Sequence, residues 1–424
     1  MSPTSIYLHI PFCKHRCAYC DFNTYAGQED SIPDYVNALI REIDYVASQQ
    51  ANYSTSEPDG YAAIHTIFFG GGTPSLLSGS QFDAILKALR AAFALSADAE
   101  ISIEANPGTI SHEKLDAIRD AGINRISFGV QSANTEELRM LERIHDFFTV
   151  IESVFTARKA GFDNLNLDLI YGLPEQTLAS WKTTLYRIVD LYPEHISAYA
   201  LTLEHGTPFG SWSSKGLLPL PDSDLAADMY EYAEEFLAGN GYVHYEISNW
   251  ARDIDSQKSK VEDPTSNFRD LTPSYACRHN LQYWHSHPYL AFGAGAHGYA
   301  NGYRYSNALR IKTYIERLVD PSSFTSHPFP LSPAAVNQHK QTIQDDMSEY
   351  MLNNLRLTIA GAVESDFRMR FGCGLLDVYP KEIEELIHLD LLESKTSGIS
   401  ETPEVYRLTK RGRLLGNQVF LRFV

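Results

Sequence analysis

The sequence predicts an α/β protein: an open, partial (β/α)6 barrel over its first half, then a helical, winged-helix-like domain at its C-terminal end. Two observations carry this. Short β-rich runs alternate six times with amphipathic helical stretches, and the C-terminal segment turns helix-rich before a short β-wing. The expected strands are 6–10, 64–69, 100–105, 125–130, 165–170 and 196–201. They are rich in Ile, Leu, Val, Phe and Tyr, and several end in Gly, Pro or Asn. In the first helix Pro33 suits the opening turn, and Val36, Leu39, Ile40, Ile43 and Val46 form one stripe. Six βα units fall short of the eight that close a TIM barrel.

Three stretches break the pattern. Residues 51–60 are polar and turn-rich, 252–275 mix charge with Ser, Thr and Pro without a period, and 320–334 are polar and Pro-rich. Beyond them come helical stretches at 347–359, 363–371 and 381–387. A β-type pair follows, Leu391-Leu392 and Tyr406-Arg-Leu-Thr, and then a basic helix start. The expected organisation is a barrel over 1–250, an extension over 251–320 and the winged-helix-like domain over 321–424.

Bulk chemistry narrows the function. The 424 residues are 44% hydrophobic and 21% charged, with a formal net charge of −18. That sign disfavours nucleic acid as a partner. The N-terminus lacks a basic start with a long apolar run, and no apolar stretch approaches the ~20 residues that span a bilayer. The expected compartment is the cytoplasm. Three of the five cysteines fall within eight residues, which in a reducing compartment points to metal rather than to disulfides.

That cluster is Cys13-Lys-His-Arg-Cys17-Ala-Tyr-Cys20, on the loop after the first strand. Barrel folds place their chemistry at this end of the strands. A [4Fe–4S] cluster usually takes four thiolates, so three leave one iron open. S-adenosylmethionine (SAM) can chelate that iron through its amino and carboxylate groups. The competing reading is a structural zinc completed by His9 or His15, although zinc favours paired spacings and four closed ligands.

After the second strand comes Phe69-Gly70-Gly71-Gly72-Thr73-Pro74. Consecutive glycines let the backbone approach a ligand, or simply make a tight turn. Further polar residues mark later strand ends: Glu104 before Asn106-Pro107-Gly108, Gln131 after Ser127-Phe-Gly-Val, and Asp168 within Asn166-Leu-Asp-Leu. Arg143 lies on the segment after Gln131. Polar ends on successive strands of one barrel face a common cavity. Carboxylates there can accept from ribose hydroxyls and an ammonium, and Arg143 can bind a carboxylate.

These motifs together resemble the oxygen-independent coproporphyrinogen III oxidase-like family of radical SAM proteins: Tyr7-Leu-His-Ile-Pro-Phe-Cys13 through Cys20-Asp21-Phe22, GGGTPS, EANPGT, SFGVQS and DLIYGLP. The resemblance covers almost the whole chain. It implies a radical SAM barrel with the cluster on Cys13, Cys17 and Cys20. It further implies SAM contacts at Tyr7, Gly71, Gly72, Thr73, Glu104, Gln131, Arg143 and Asp168, with Ala200 a weaker candidate. The decarboxylating oxidases carry another cysteine two positions past the third, where this chain has Phe22, and a longer N-terminal extension than the 12 residues before Cys13.

Two further segments, Tyr245-Glu-Ile-Ser-Asn249 and Cys277-Arg-His279-Asn280-Leu-Gln-Tyr283-Trp284, resemble the haem chaperone (HemW-type) branch of the family. There the histidine of an HNxxYW motif is implicated in haem binding. Imidazole is a standard axial ligand to haem iron, and Tyr283 and Trp284 can pack on a macrocycle. On residue type alone, ordinary packing is the favoured reading of His279 and Trp284, and the resemblance reverses that preference. Cys277 is a second candidate ligand, and Gly293-Ala-Gly-Ala-His297-Gly298 is noted without a role. The segment between Asn249 and Cys277 is longer than that branch leads one to expect.

The expectation is therefore a haem chaperone that binds haem, a [4Fe–4S] cluster and SAM, and passes haem to acceptor haemoproteins, respiratory ones among them. The alternative is a radical SAM enzyme acting on a tetrapyrrole. Oligomeric state is open, a homodimer included.

Overall fold

The computed structural model describes residues 2–53, 63–254, 272–320, 327–396 and 404–424. The irregular stretches 51–60, 252–275 and 320–334 fall largely or partly outside these. By contact the chain groups into two compact units. One comprises Met1–Glu194, Ala198–Met229 and Pro288–Lys340. The other comprises His195–Ser197, Tyr230–His287 and Gln341–Val424.

All six expected strands form: β1 (Ser5–Ile10), β2 (Ile64–Gly71), β3 (Leu95–Ala105), β4 (Arg125–Gln131), β5 (Leu165–Tyr171) and β6 (His195–Ala200). In the first unit β1 to β5 pair side by side in parallel, in chain order. Their buried residues run nearly continuously, as in Arg125, Ile126, Ser127 and Phe128, or Leu165, Asn166 and Leu167 followed by Leu169, Ile170 and Tyr171. That is the signature of strands covered on both faces.

The covering helices are α1 (Ile32–Tyr53), α2 (Gly79–Ala92), α3 (His112–Ala121), α4 (Thr135–Met140), α5 (Phe147–Lys159) and α6 (Leu178–Val189). Side chains at their starts explain where five of them begin: Ser78, Ser111, Asn134, Asp146 and Thr177 each accept a backbone N–H of the first turn. In α1 the stripe of Val36, Leu39, Ile43 and Val46 is buried as the spacing requires.

The sequence reading missed strands. Tyr289–Phe292 pairs in parallel with the other edge of β1, from Ser5↔Tyr289 to Leu8↔Phe292. His297–Ala300, Tyr303–Asn307 and Ala335–Lys340 then extend the sheet antiparallel. All four residues of Tyr289–Phe292 are buried, so no alternation betrays the strand.

In the second unit, Tyr242–Glu246 and Asn249–Arg252 form a hairpin, and Asn249–Ala251 pairs antiparallel with His195–Ser197 of β6. Helices Ile343–Asn354, Glu364–Phe371, Leu375–Val378 and Pro380–His388 accompany a three-stranded sheet in the order Ala362–Val363, Val405–Leu408, Leu392–Lys395, whose first strand lies between the first two helices in the chain. This is the helical, winged arrangement expected, around Met351, Leu355, Phe367, Leu386, Tyr406 and Val419. The helix expected over 347–359 stops at Asn354. Leu357 bridges Glu246, and the Thr358 N–H donates to the Tyr245 carbonyl, so pairing to the hairpin replaces the last helical turn. Among the described residues no helix is long and apolar enough to cross a membrane.

Candidate functional site

The cysteine loop leaves the C-terminal end of β1. Phe12–Cys13 pairs in parallel with Tyr25–Ala26, which ties the loop's two ends together. Inside, the Cys20 N–H donates to the Cys17 carbonyl at 3.1 Å. Ala18 packs with Leu141, Ile170, Leu173 and Phe209, seating the loop on the barrel. Cys13 is buried, and Cys17 and Cys20 are half-buried. Burial pushes the Cys13 and Cys20 thiols up, and the Thr73 hydroxyl, 3.5 Å from the Cys13 Sγ, works against this.

The glycine loop lies directly against this segment. The Gly72 N–H donates to the Ile10 carbonyl at 2.9 Å and the Thr73 N–H to the Phe12 carbonyl at 2.7 Å. A Cβ on Gly72 would stand 2.6 Å from the Phe12 carbonyl oxygen, and one on Gly71 (φ +111°) would enter the His9 ring. The glycines are therefore needed for contact between the two loops as well as for the cavity they line.

Strand ends supply the rest. Glu104 accepts from the Gly71 N–H at 2.9 Å. Its carboxyl is pushed up to about 7, by burial first and by the nearby Asp168 charge second. Asp168 accepts from Ser127 Oγ at 2.7 Å and from Asn166 Nδ2 at 2.8 Å. Gln131 has φ +69°, at a register shift between β4 and β5 that turns its side chain out of the pleat. Arg143 reaches Cys17 Sγ at 3.6 Å and the Gly129 carbonyl at 2.6 Å, and it also donates to Asn106 Oδ1.

These residues share one cavity of about 490 Å³. Cys13, Cys17, Cys20, Gly71, Gly72, Thr73, Glu104, Gln131, Arg143, Asp168 and Ala200 all line it. Tyr7 alone of the expected barrel set is not on that wall. Its hydroxyl lies 3.0 Å from His9 Nδ1, and its ring sits under Gly70. Sequence reasoning gave no role to Asn106, Ser127 and Asn166, which hold Thr73, Arg143 and Asp168 in place. Their signal was present: Asn166 and Asp168 stand two apart and so face the same side of β5.

Among the described residues no three His, Cys, Asp or Glu side chains converge on a single-ion position. A cubane does not ask for that, because each thiolate takes its own iron corner. Three thiols on one cavity wall, with polar groups around the remaining space, fit such a cluster and one small chelating ligand.

The haem-motif residues belong to the second unit. His279 and Cys277 are buried, on and just before the helix Arg278–Trp284. His279 Nε2 lies 2.9 Å from the Tyr283 hydroxyl, and the Arg356 guanidinium covers the Trp284 ring at 4.4 Å. His297 is not among the residues lining the barrel cavity.

Comparisons with known proteins agree with this geometry. The model of the Radical SAM superfamily matches residues 7–187. The chain is 35% identical over 421 residues to the heme chaperone HemW of Bacillus subtilis, covering 99% of each. It is 33% identical over 430 residues to the heme chaperone HemW of Escherichia coli, covering 100% of this chain and 99% of that one. Among solved structures, coproporphyrinogen III oxidase (HemN) from Escherichia coli, a radical SAM enzyme, aligns with a TM-score of 0.78 and 25% identity. That alignment covers 100% of this chain and 90% of that one. With a third of its residues shared along the full length of such relatives, the chain belongs to the HemW family of radical SAM proteins.

Proposed function

We propose that this chain is a cytoplasmic haem chaperone, binding haem at the His279 motif and passing it to acceptor haemoproteins such as those of respiration. Cys13, Cys17 and Cys20 hold a [4Fe–4S] cluster, and the glycine loop, Glu104, Gln131, Arg143 and Asp168 hold SAM beside its open iron. When bound, cluster and SAM supply one-electron bond-cleavage chemistry. The chain's own residues bind and orient: Glu104, with its carboxyl near 7, and Asp168 receive an ammonium or ribose hydroxyls, and the Arg143 guanidinium pairs with a carboxylate.

The carrying observation is the full-length match to relatives named as heme chaperones. The cavity supports it over the enzymatic reading. Asp21, Glu104, Asp168 and Glu204 line it against only two guanidiniums, Arg16 and Arg143. Coproporphyrinogen carries several propionate carboxylates, and burying those among carboxylates is electrostatically costly.

Anaerobic haem titration tests the reading through the Soret band. Wild type is expected to saturate, and His279→Ala to bind at least about ten-fold more weakly, as loss of a ligand-shell group does. Equal binding removes His279 as the ligand, and no Soret band in wild type removes the chaperone reading. Turnover of coproporphyrinogen III with SAM and reductant would install the enzymatic one.

A further inference from the structure

We propose that Tyr245 and His195 are positioning residues for haem: together they hold the helix that carries His279. The inference rests on the haem reading above and deepens it. His195, Tyr245 and Cys277 are all buried, at 1%, 2% and 1% exposure. The Tyr245 hydroxyl accepts the Cys277 N–H at 3.2 Å and lies 2.7 Å from His195 Nε2. The hydroxyl can accept the Cys277 N–H with either tautomer of His195, donating to a bare Nε2 or accepting from a protonated one. A chain of this kind in a dry interior polarises along its length.

The helix it meets cannot hold its own register. Arg278–Trp284 has seven residues, and its N-cap, Cys277, makes no side-chain capping bond. Isolated helices of this length are unstable in water, so the position of this one is set by its attachments. One attachment is Tyr245. A second is Ser286, at φ +54° just past the helix. Its carbonyl accepts from Arg370 Nη1 at 3.0 Å and its hydroxyl from Asn353 Nδ2 at 3.1 Å. His279 stands two residues after the anchored amide. The height and rotation of its imidazole therefore follow from where Tyr245 holds Cys277. Tyr245 is itself fixed, because its carbonyl accepts the Thr358 N–H at 3.1 Å. The Tyr245-Glu-Ile-Ser-Asn249 segment thereby sets the pose of the HNxxYW helix.

The test uses full-length, anaerobically purified wild type, Tyr245→Phe, His195→Gln and His195→Leu. Three quantities are read: haem release to a scavenger, the ferric haem electron paramagnetic resonance spectrum, and hydrogen exchange of residues 275–284. Tyr245→Phe should release haem about five-fold faster, the worth of one buried hydrogen bond. It should add a second ligand-field species and speed exchange at 275–284, with iron and sulfide content unchanged. His195→Gln, whose amide can either accept from or donate to the hydroxyl, should stay near wild type, and His195→Leu should follow Tyr245→Phe. Should Tyr245→Phe not fold, His195→Leu carries the comparison. Wild-type release, spectrum and exchange in both Tyr245→Phe and His195→Leu would overturn the positioning role alone. No haem uptake by wild type would remove the haem reading and this inference with it.

Discussion

Glu246 offers a quantitative test of the second unit. It is fully buried at the end of a hairpin strand, where Oε1 accepts the Ser248 N–H at 3.2 Å and the Asn249 amide. Oε2 has no hydrogen-bond partner among the described residues. Burial raises the carboxyl from 4.5 to about 7, against the attraction of Arg356 and the two hydrogen bonds. The folded state therefore binds a proton that the unfolded chain has already released between those values. Stability is fully present below the unfolded value and is lost as pH rises through the folded one. At ~1.36 kcal/mol per pH unit the whole effect is roughly 3 kcal/mol, most of it between about pH 4.5 and 7. Glu246→Gln keeps the shape and one acceptor but cannot ionise. Urea unfolding followed by tryptophan fluorescence, to which Trp250 and Trp284 of this unit contribute, at several pH values should show wild type losing stability relative to the variant across that window. Glu104, whose carboxyl is also raised to about 7, titrates in both proteins and cancels in the difference. Parallel pH profiles for the two proteins would refute the reasoning.

Two predictions concern the barrel unit. Gly71→Ala forces a Cβ into the His9 ring at φ +111°, at a strain of about 1–2 kcal/mol; calorimetry should find SAM bound about ten-fold more weakly. Glu42 is buried under four donors: the Gly293 N–H at 2.9 Å, Asn307 Nδ2 at 2.7 Å, the Tyr314 hydroxyl at 2.6 Å and the Ser332 hydroxyl at 2.7 Å. Glu42→Ala leaves Asn307 Nδ2 only the Gly293 carbonyl and strands the other three, and thermal melts should report a loss above about 3 kcal/mol, since each unpaired buried group costs ~1–3 kcal/mol.

The barrel strands were legible because their apolar runs end in Gly, Pro or Asn. The cavity was legible because its polar residues sit at those ends, as Glu104, Gln131 and Asp168 do. Two kinds of feature were not. The strand Tyr289–Phe292 has no alternation to read, being buried throughout. The partnerships of Glu42 span more than 250 residues, from α1 to Gly293, Asn307, Tyr314 and Ser332, and no local pattern encodes a contact at that separation. In the sequence Glu42 is one of several polar residues on α1, with nothing local to mark it as buried. In the structure it anchors the loop that begins at Gly293.

On the proposed reading, the partner of His279 bears on how haem is bound and released. His279 Nε2 is engaged with the Tyr283 hydroxyl one helical turn along, in a T-shaped contact with ring centroids 5.0 Å apart. On the proposed reading, with Nε2 taken as the ligating nitrogen, iron must displace that hydroxyl, and release restores it. A net hydrogen bond in such a setting contributes ~1 kcal/mol, so the pair weakens haem binding by roughly five-fold relative to an imidazole with no competing partner. It does not abolish binding. That is the size of bias suited to a protein that gives its ligand away: small against an iron–nitrogen bond, yet always favouring the empty state. The same reading separates two tyrosines: on it, Tyr283 competes with haem for His279, whereas Tyr245 holds the helix on which that competition takes place. Removing the Tyr283 hydroxyl should therefore tighten haem binding, and removing the Tyr245 hydroxyl should loosen it.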